Sequence, residues 1–169
     1  VPKRTMNAYI KAKVKNTSEY ALLSGPANVF FENNFVAKTN LKPCSPTEEF
    51  TCSLGVDPAI RIDYKPVKRF TAQSGILSKS TVTTYTQVIE IKNTTQSAIK
   101  LLLSDCVPMS NDEKIKVKLL EPSVKDNPIV KLNKSHNLEF DLNIGAGQTQ
   151  EITIKYNVEH PSDQDVEFF

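Results

Sequence analysis

Hydrophobic and polar residues alternate one by one along much of the chain. In the segment 8–14, Ala8, Ile10 and Val14 lie at even positions, whereas Lys11 and Lys13 lie at the odd positions between them. This period of two is typical of a β-strand with one face buried and the other in water. Comparable strand signals recur at 28–31, 35–39, 50–54, 60–65, 82–92, 98–104, 115–119, 138–144 and 152–158.

Turn-forming residues separate these predicted strands, and no segment keeps a helical period of 3.6 residues over two turns. About nine or ten strands joined by turns predict an all-β fold, a two-sheet antiparallel β-sandwich of immunoglobulin-like or fibronectin-like type. The Cys-Trp-Cys core of immunoglobulin domains is excluded, because the chain has no tryptophan. The polar stretch 69–80 predicts a hairpin loop. The predicted core consists of Val14, Ile62, Ile89, Leu101, Val117, Phe140 and Ile154.

Length and composition fit one globular domain. A chain of 169 residues is long enough to bury its own core, so we expect a single domain over 1–169. The net charge of +2 does not favour a nucleic-acid partner. No window of 18 apolar residues predicts a membrane span. The chain opens on Val1 and Pro2 without an initiator Met, and we therefore expect a fragment of a longer protein.

The cysteine content predicts free thiols. Cys44, Cys52 and Cys106 are odd in number, which favours a reducing compartment and hence the cytoplasm. We expect Cys52 and Cys106 to be buried as small apolar residues, and Cys44, beside Pro43, to be the most exposed. A disulfide between Cys44 and Cys52 across a hairpin is the alternative.

Three sequons for N-glycosylation occur in the chain, at Asn16, Asn93 and Asn133. They would matter in a secreted protein. Asn, Ser and Thr are also frequent turn formers, and we favour that interpretation for all three.

No group of residues has the spacing of a catalytic or metal site. His136 and His160 lack a ligand partner in metal-binding spacing, and we interpret both as surface turn residues. A nucleophile pair of Cys106 with His160 is open as an alternative, because such partners meet only in space. The G-x-S-x-G and glycine-rich phosphate motifs are absent. We therefore predict no catalytic residue, no cofactor and no metal, and the binding residues stay unassigned.

Two groups of charged residues invite a functional interpretation. One group is lysines that alternate along predicted strands: Lys11, Lys13, Lys15, Lys114, Lys116 and Lys118. Lysines protect exposed strands from aggregation, and we favour that role over a basic stripe for nucleic acid. The other group is Asp57, Asp63, Asp105, Asp112 and Asp141, which lack the calcium-loop spacing. Asp57 and Asp105 are predicted to bond local backbone N–H groups in turns.

The chain resembles the C-terminal domain of the mucoidy-inhibitor-A-like family, a domain whose function is not established, and it is most similar to the eukaryotic branch. The matching blocks are VPKRTMNAYIKAKVKNTS (1–18), LLSGPANVFFENNFVAKTNL (22–41), FTCSLGVDPAIRI (50–62), YTQVIEIKNTT (85–95), LSDCVPMSNDEKIKVKLLEP (103–122) and IKYNVEHP (154–161). Cys106 and Met109 stand where this family more often has Gln and Val.

The resemblance implies an upstream β-rich domain and coiled-coil hairpin, no cofactor and no catalytic motif. It also implies that one or two strands of the sandwich precede Val1. We therefore expect a non-enzymatic module for protein interaction or scaffolding, with a protein partner and with association as a two-fold dimer through open sheet edges. The alternative is a module that binds carbohydrate or a surface polymer. A hydrolase is the remote alternative.

Overall fold

The computed structural model confirms the all-β prediction. It describes residues 1–31, 33–74, 80–125 and 127–162, and in these ranges every regular element is a β-strand. The strands are β1 (Asn7–Lys15), β2 (Gly25–Phe31), β3 (Asn34–Leu41), β4 (Glu49–Tyr64), β5 (Lys68–Ser74), β6 (Ser80–Asn93), β7 (Ile99–Cys106), β8 (Lys116–Glu121), β9 (Val130–Leu132), β10 (Asn137–Ile144) and β11 (Thr149–Pro161).

The chain divides into two compact units. The first unit is Asn7–Pro58, in which β1 lies beside β4, and β2 pairs with β3. The second unit contains Val1–Met6 and the described residues from Ala59 onward. Its larger sheet has the order β4–β6–β11–β8, with β5 also paired to β6, and its smaller sheet has the order β7–β10–β9. Every strand pair whose register is known is antiparallel.

Two of the predicted turns are wrong. The stretch 69–80 was expected to be a loop, but β5 occupies its described part and pairs with β6 from Lys68↔Thr86 to Ser74↔Ser80. Residues 75–79 lie outside the described ranges. The residues between the predicted strands 50–54 and 60–65, among them Asp57, were expected in a turn, but β4 continues through them. Neither segment shows a long apolar face, so the periodicity carried no strand signal there.

The core lies mainly in the second unit. The predictions for Ile89, Phe140 and Ile154 are confirmed, since all three side chains are buried. Val14 was wrongly predicted as core and is 38% exposed. Its strand β1 is at the edge of its sheet, so side chains of only one neighbouring strand lie beside it instead of two. Three other predicted core residues are only half-buried, namely Ile62, Leu101 and Val117.

A fully buried asparagine closes a corner between β6 and β7. The Nδ2 group of Asn93 donates to the carbonyl oxygens of Ser97 at 2.8 Å, Gly145 at 3.0 Å and Ile144 at 3.2 Å. Its Oδ1 accepts from the N–H of Thr95 at 2.9 Å and from the Thr95 hydroxyl at 2.7 Å. One side chain thereby satisfies backbone groups from two separate connections, which buried polar groups require.

The same corner occurs in the first unit, between β1 and β2. The Nδ2 group of Asn16 donates to the carbonyl oxygens of Tyr20 at 2.8 Å and Cys44 at 3.3 Å. Its Oδ1 accepts from the N–H of Ser18 at 3.1 Å and the Ser18 hydroxyl at 2.7 Å. The two sequences KNTSEYAL (15–22) and KNTTQSAI (92–99) share this turn. We call these the first and second asparagine corners.

The second connection in each corner also matches. The Gly145 N–H donates to Gln148 Oε1 at 3.2 Å, and the Ser45 N–H donates to Glu48 Oε2 at 2.6 Å. The residue just before the accepting side chain has a left-handed backbone in both connections, with φ of +67° at Gly147 and +70° at Thr47.

The paired strands beyond the corners keep one register. Leu22 faces Cys44 as Ile99 faces Ile144, and Gly25 faces Leu41 as Leu102 faces Asp141. Each unit therefore repeats one arrangement of a strand, an asparagine corner, a hairpin pair and a returning strand. In the second unit, β8 and β9 are inserted between the two strands of the hairpin pair.

Candidate interaction groove and tyrosine cleft

An apolar groove of about 320 Å³ opens on the second unit. Its walls come from the connection between β7 and β8, from β8 itself and from the region of β9. We call it the apolar groove, and it is lined by Val107, Pro108, Met109, Ser110, Ile115, Val117, Leu119, Leu132 and His136.

The sequence of β8 explains its contribution to the groove. Val117 and Leu119 are half-buried and line the groove, whereas Lys116 and Lys118 between them are exposed. Successive side chains of a strand point to opposite faces, so one face of β8 is apolar and the other is cationic. The prediction that these lysines occupy a solvent-facing strand face is confirmed.

Local hydrogen bonds shape the connection that precedes β8. Asp112 accepts the Lys114 N–H on its Oδ1 at 2.8 Å, and its own N–H donates to the Ser110 hydroxyl oxygen at 3.1 Å. This is the local bonding expected of Asp and Ser in turns. It positions Met109, which is 60% exposed beside the groove.

Both strands beside the groove are at the ends of their sheets. β8 pairs only with β11, and β9 pairs only with β10, among the residues that the structure describes. Each strand therefore has one edge without a neighbouring strand in the described part of the chain. Such an edge presents backbone donors and acceptors to an incoming chain.

A second concavity of about 250 Å³ contains three tyrosines and a buried carboxyl group. We call it the tyrosine cleft. The rings of Tyr85 and Tyr156 stack with centroids 5.2 Å apart, and the Arg69 guanidinium lies 5.5 Å from the Tyr85 centroid. Asp105 is 2% exposed and accepts hydrogen bonds from the Cys106 N–H at 2.9 Å and from the Tyr64 hydroxyl.

Burial controls the ionisation of this cleft. Burial raises the pKa of Asp105 above its ordinary value of 3.8, although the hydrogen bond from the Cys106 N–H lowers it. Burial also raises the pKa of Tyr156 to about 12, and burial followed by the Asp105 charge raises the pKa of Tyr64. Burial therefore makes the ionisation of Asp105 and of these tyrosines harder than in water.

Gln87 adds an amide to the same cleft. It is 4% exposed, and its Nε2 donates to the carbonyl oxygens of Lys65 at 2.7 Å and Val88 at 2.9 Å. Its Oε1 is buried without a hydrogen-bond partner in the described structure. Sequence patterns missed this cleft, because Tyr64, Gln87 and Asp105 meet only through the pairing of separate strands.

The cysteines are free, but their exposure differs from the prediction. Cys44 is buried, Cys52 is half-buried and Cys106 is exposed. Cys44 was expected to be the most exposed because it adjoins Pro43. It is buried because its peptide group exchanges two hydrogen bonds with Leu22 at 2.9 and 3.0 Å inside the first asparagine corner.

Asn16 and Asn133 lie outside the strands, in connections where turns were predicted, whereas Asn93 is the last residue of β6 and its Oδ1 accepts a hydrogen bond from the Thr95 N–H in the turn that follows. Asn16 and Asn93 use their Nδ2 groups inside the asparagine corners. The Nδ2 of Asn133 donates to Glu139 Oε1 at 2.8 Å, and its Oδ1 accepts the N–H of Ser135 at 2.9 Å. Each amide nitrogen is thus already a donor within the folded chain.

The remaining candidate residues are scattered. His160 was expected in a surface turn, but it is half-buried within β11. Its Nδ1 lies 2.9 Å from the Pro161 carbonyl oxygen, and no hydrogen bond joins it to Cys106 in the described structure. His136 lies at a turn with φ of +56°. Asp105 does bond a local N–H, as predicted, but it does so from within β7 and not from a turn.

The other charges do not form a compact site. Asp63 forms an ion pair with Lys65, and Asp141 lies 3.5 Å from Lys131. Three or more metal-ligating side chains do not cluster anywhere among the described residues. The described ranges also contain no helix long and apolar enough to cross a membrane.

Comparison with known proteins places the chain in a family. Residues 2–162 match the model of a domain of unknown function, DUF4139. The chain belongs to the DUF4139 family. It is also 31% identical over 176 residues to Protein F37C4.5 of Caenorhabditis elegans, a match that covers 99% of this chain. The chain spans about a third of that relative's length, 32%. No solved structure matches the chain.

Proposed function

We propose that this DUF4139 domain is a non-enzymatic protein-interaction module that binds an extended segment of a partner protein along β8, with side chains in the apolar groove. The observation that carries the proposal is the adjacency of this groove to the edge strand β8. Adding a strand to a sheet edge supplies main-chain hydrogen bonds, and pockets beside the edge supply specificity.

The two faces of β8 define the chemistry of the partner. Side chains on one face of an added strand would meet Val117 and Leu119, and those on the other face would meet Lys116 and Lys118. A segment that alternates aliphatic with acidic residues satisfies both faces. Opposite charges across a strand pair contribute about 0.2–1 kcal/mol each, whereas the apolar side chains leave water.

The finer identity of the domain is part of this proposal. The sequence blocks support a C-terminal domain of a mucoidy-inhibitor-A-like protein, with a single β-sandwich preceded by a coiled coil. We also propose that the domain is cytoplasmic and forms a two-fold dimer through sheet edges. The proposal includes no nucleic-acid partner, no membrane partner and no cofactor. The odd number of cysteines and the net charge of +2 support the location and the choice of a protein partner.

A fluorescent peptide of alternating Glu and Val tests the proposal, with a peptide of alternating Lys and Val as its charge control. Fluorescence anisotropy on the 169-residue chain should show binding of the acidic peptide only. Lys116→Glu combined with Lys118→Glu should weaken that binding by about threefold or more. Met109→Glu should also weaken it, because a charge would enter the apolar groove.

Lys11→Glu is the matched control, since it reverses an exposed lysine on a strand of the first unit. It should leave the affinity unchanged. Equal binding of both peptides, or equal weakening by the control and the β8 variants, would refute binding at β8.

The tyrosine cleft supports a second candidate function, the binding of a carbohydrate. Its aromatic rings lie beside a carboxyl group, an amide and a guanidinium in one concavity. Tyr85→Ala should abolish retention on an immobilised polysaccharide without affecting peptide binding at β8, because its strand β6 does not pair with β8. Absence of retention for the unaltered chain on a panel of neutral and acidic polysaccharides would remove this alternative.

A further inference from the structure

The chain itself contains a segment with the pattern that β8 is proposed to bind. Residues 163–169 lie outside the described ranges, and their sequence is DQDVEFF. Acidic residues stand at the odd positions, Asp163, Asp165 and Glu167, whereas Val166 and Phe168 stand at even positions. Successive side chains of an extended chain point to opposite faces, so this pattern separates acidic from apolar side chains. We call residues 163–169 the acidic tail.

The lysines at and just before β8 match the charge of this tail. Lys114, Lys116 and Lys118 are all exposed. None of the three forms an ion pair with another residue in the described part of the chain. Three positive side chains on β8 and its lead-in therefore stand against three carboxylates in the tail.

The chain leaves its last strand at the end of the sheet where β8 begins. β11 pairs with β8 up to Glu159↔Lys116, and β11 ends two residues later at Pro161. The hydroxyl of Ser162 accepts a hydrogen bond from the Thr81 hydroxyl at 3.1 Å, which fixes the start of the tail at this end of the sheet.

The tail is long enough to reach the open edge of β8. Two strand spacings separate β11 from a new strand on that edge, a distance of about 10 Å. The tail of seven residues spans about 23 Å when extended. About three residues are needed to pass the end of β8, which leaves about four to lie along it.

The side chains of these last residues match the two faces of β8. Val166 and Phe168 are two residues apart, as are Val117 and Leu119 on the groove side of β8. Glu167 lies between the two apolar residues and would be on the side of the exposed lysines. The order of apolar and acidic residues therefore fits the groove and the cationic face together.

We infer that the acidic tail of this chain occupies the open edge of β8 and the apolar groove, and that it competes there with a partner segment. The inference rests on the function proposed for β8, because it assigns an internal competitor to the same site. Tethering gives the tail a high effective concentration, so a weak contact is enough to fill the site. A partner then binds with an affinity reduced by the fraction of molecules whose site is open.

A single tryptophan tests where the tail lies, because the chain has none of its own. In the Phe168→Trp chain, the emission should lie at shorter wavelength and be quenched less by acrylamide than in the Tyr20→Trp chain. Tyr20 is the reference because its side chain is 78% exposed. Adding Lys116→Glu and Lys118→Glu to the Phe168→Trp chain should shift the emission to longer wavelength, whereas adding the control Lys11→Glu should not.

Peptide binding tests the competition. Val166→Ser combined with Phe168→Ser removes the apolar side chains of the tail beyond the last described strand. This variant should bind the peptide of alternating Glu and Val about threefold more tightly, or better, than the unaltered chain in the anisotropy titration. Gln164→Ala is the matched control, since it alters the tail without changing its charge or its apolar residues, and it should leave the affinity unchanged.

Two outcomes would overturn the inference irrespective of peptide binding. One is an emission of the Phe168→Trp chain that equals that of Tyr20→Trp and does not respond to the β8 substitutions. The other is an emission shift that grows with protein concentration together with a doubled mass in light scattering, since the tail would then bind a second copy.

Failure of the function proposed for β8 gives a different result. The emission of the Phe168→Trp chain would respond to Lys116→Glu and Lys118→Glu, but the acidic peptide would bind neither the unaltered chain nor the double serine variant. That result would keep the tail on β8 and remove the partner segment. Equal peptide affinity of the unaltered chain and the double serine variant would overturn the competition.

Discussion

Removing the Asn93 amide tests whether the second asparagine corner holds its unit together. Asn93→Ala deletes two N–H donors that reach three carbonyl oxygens and an acceptor oxygen that receives two hydrogen bonds, in a residue that is 0% exposed. Water cannot replace these bonds without opening the corner, so several backbone groups lose their partners. The Thr95 hydroxyl also lies 2.8 Å from the Ser97 carbonyl oxygen, and its one hydrogen can be donated there once Asn93 Oδ1 is removed, which limits the loss.

The expected loss of stability follows from these bonds. A typical hydrogen bond contributes about 1 kcal/mol net, and a buried group left unpaired costs about 1–3 kcal/mol. Because such values are not additive, we expect Asn93→Ala to lower the free energy of unfolding by about 3–5 kcal/mol. With a urea m-value of about 2 kcal/mol per molar, the midpoint should fall by about 2 M.

Urea titration followed by circular dichroism and tyrosine fluorescence measures this change. Asn143→Ala is the control, since Asn143 is an exposed asparagine on β10 in the same unit, and it should change stability by less than about 0.5 kcal/mol. Asn93→Asp should be at least as harmful as Asn93→Ala, because it buries a carboxylate where an amide donated. A loss below about 1 kcal/mol for Asn93→Ala would refute the structural role of the corner.

Four further predictions concern single sites. Thr47→Gly should raise the free energy of unfolding by about 0.5–1 kcal/mol, and hence the urea midpoint. The reason is that Thr47 has a left-handed backbone, whereas the equivalent residue in the second unit, Gly147, is a glycine. Phe140→Ala should lower stability by about 3–5 kcal/mol in the same titration, and a smaller loss would contradict its place in the core. Burial raises the pKa of Asp105, so ionisation is harder in the folded state, and stability should fall as the pH rises above 3.8 toward the raised value. Asp105→Asn should remove that slope in pH-dependent melts. A maleimide should label Cys106 rapidly and the other two cysteines more slowly, and a non-reducing titration in denaturant should count all three, whereas a count of one would indicate a disulfide.

The strands themselves could be predicted from the sequence, because alternation records which face of each strand meets water. The alternation at 138–144 and 152–158 identified two buried strands and placed Phe140 and Ile154 in the core. It failed at β5, where Phe70 is 71% exposed and no side chain is buried from Lys68 to Ala72. β5 is a strand because it pairs with β6, and the sequence of one segment alone does not show which other segment it pairs with.

The asparagine corners mark the boundary between local and tertiary information. The repeated KNT at 15–17 and 92–94 is visible in the sequence and identifies both turns. The other hydrogen bonds of each corner are not local, because Asn16 bonds a carbonyl 28 residues away and Asn93 bonds one 51 residues away. Only the tertiary structure brings those carbonyls to the amides.

The candidate sites belong to the same category. Asp105 has the sequence context of a turn residue, yet burial raises its pKa and the hydrogen bond from Tyr64, which β4 supplies, lowers it. Lys116 and Val117 could be assigned to opposite faces of one strand from the sequence alone. The groove beside them required the β7–β8 connection and Leu132 to lie next to β8. Alternation is set by the backbone of each strand, whereas edges and clefts are set by which strands become neighbours.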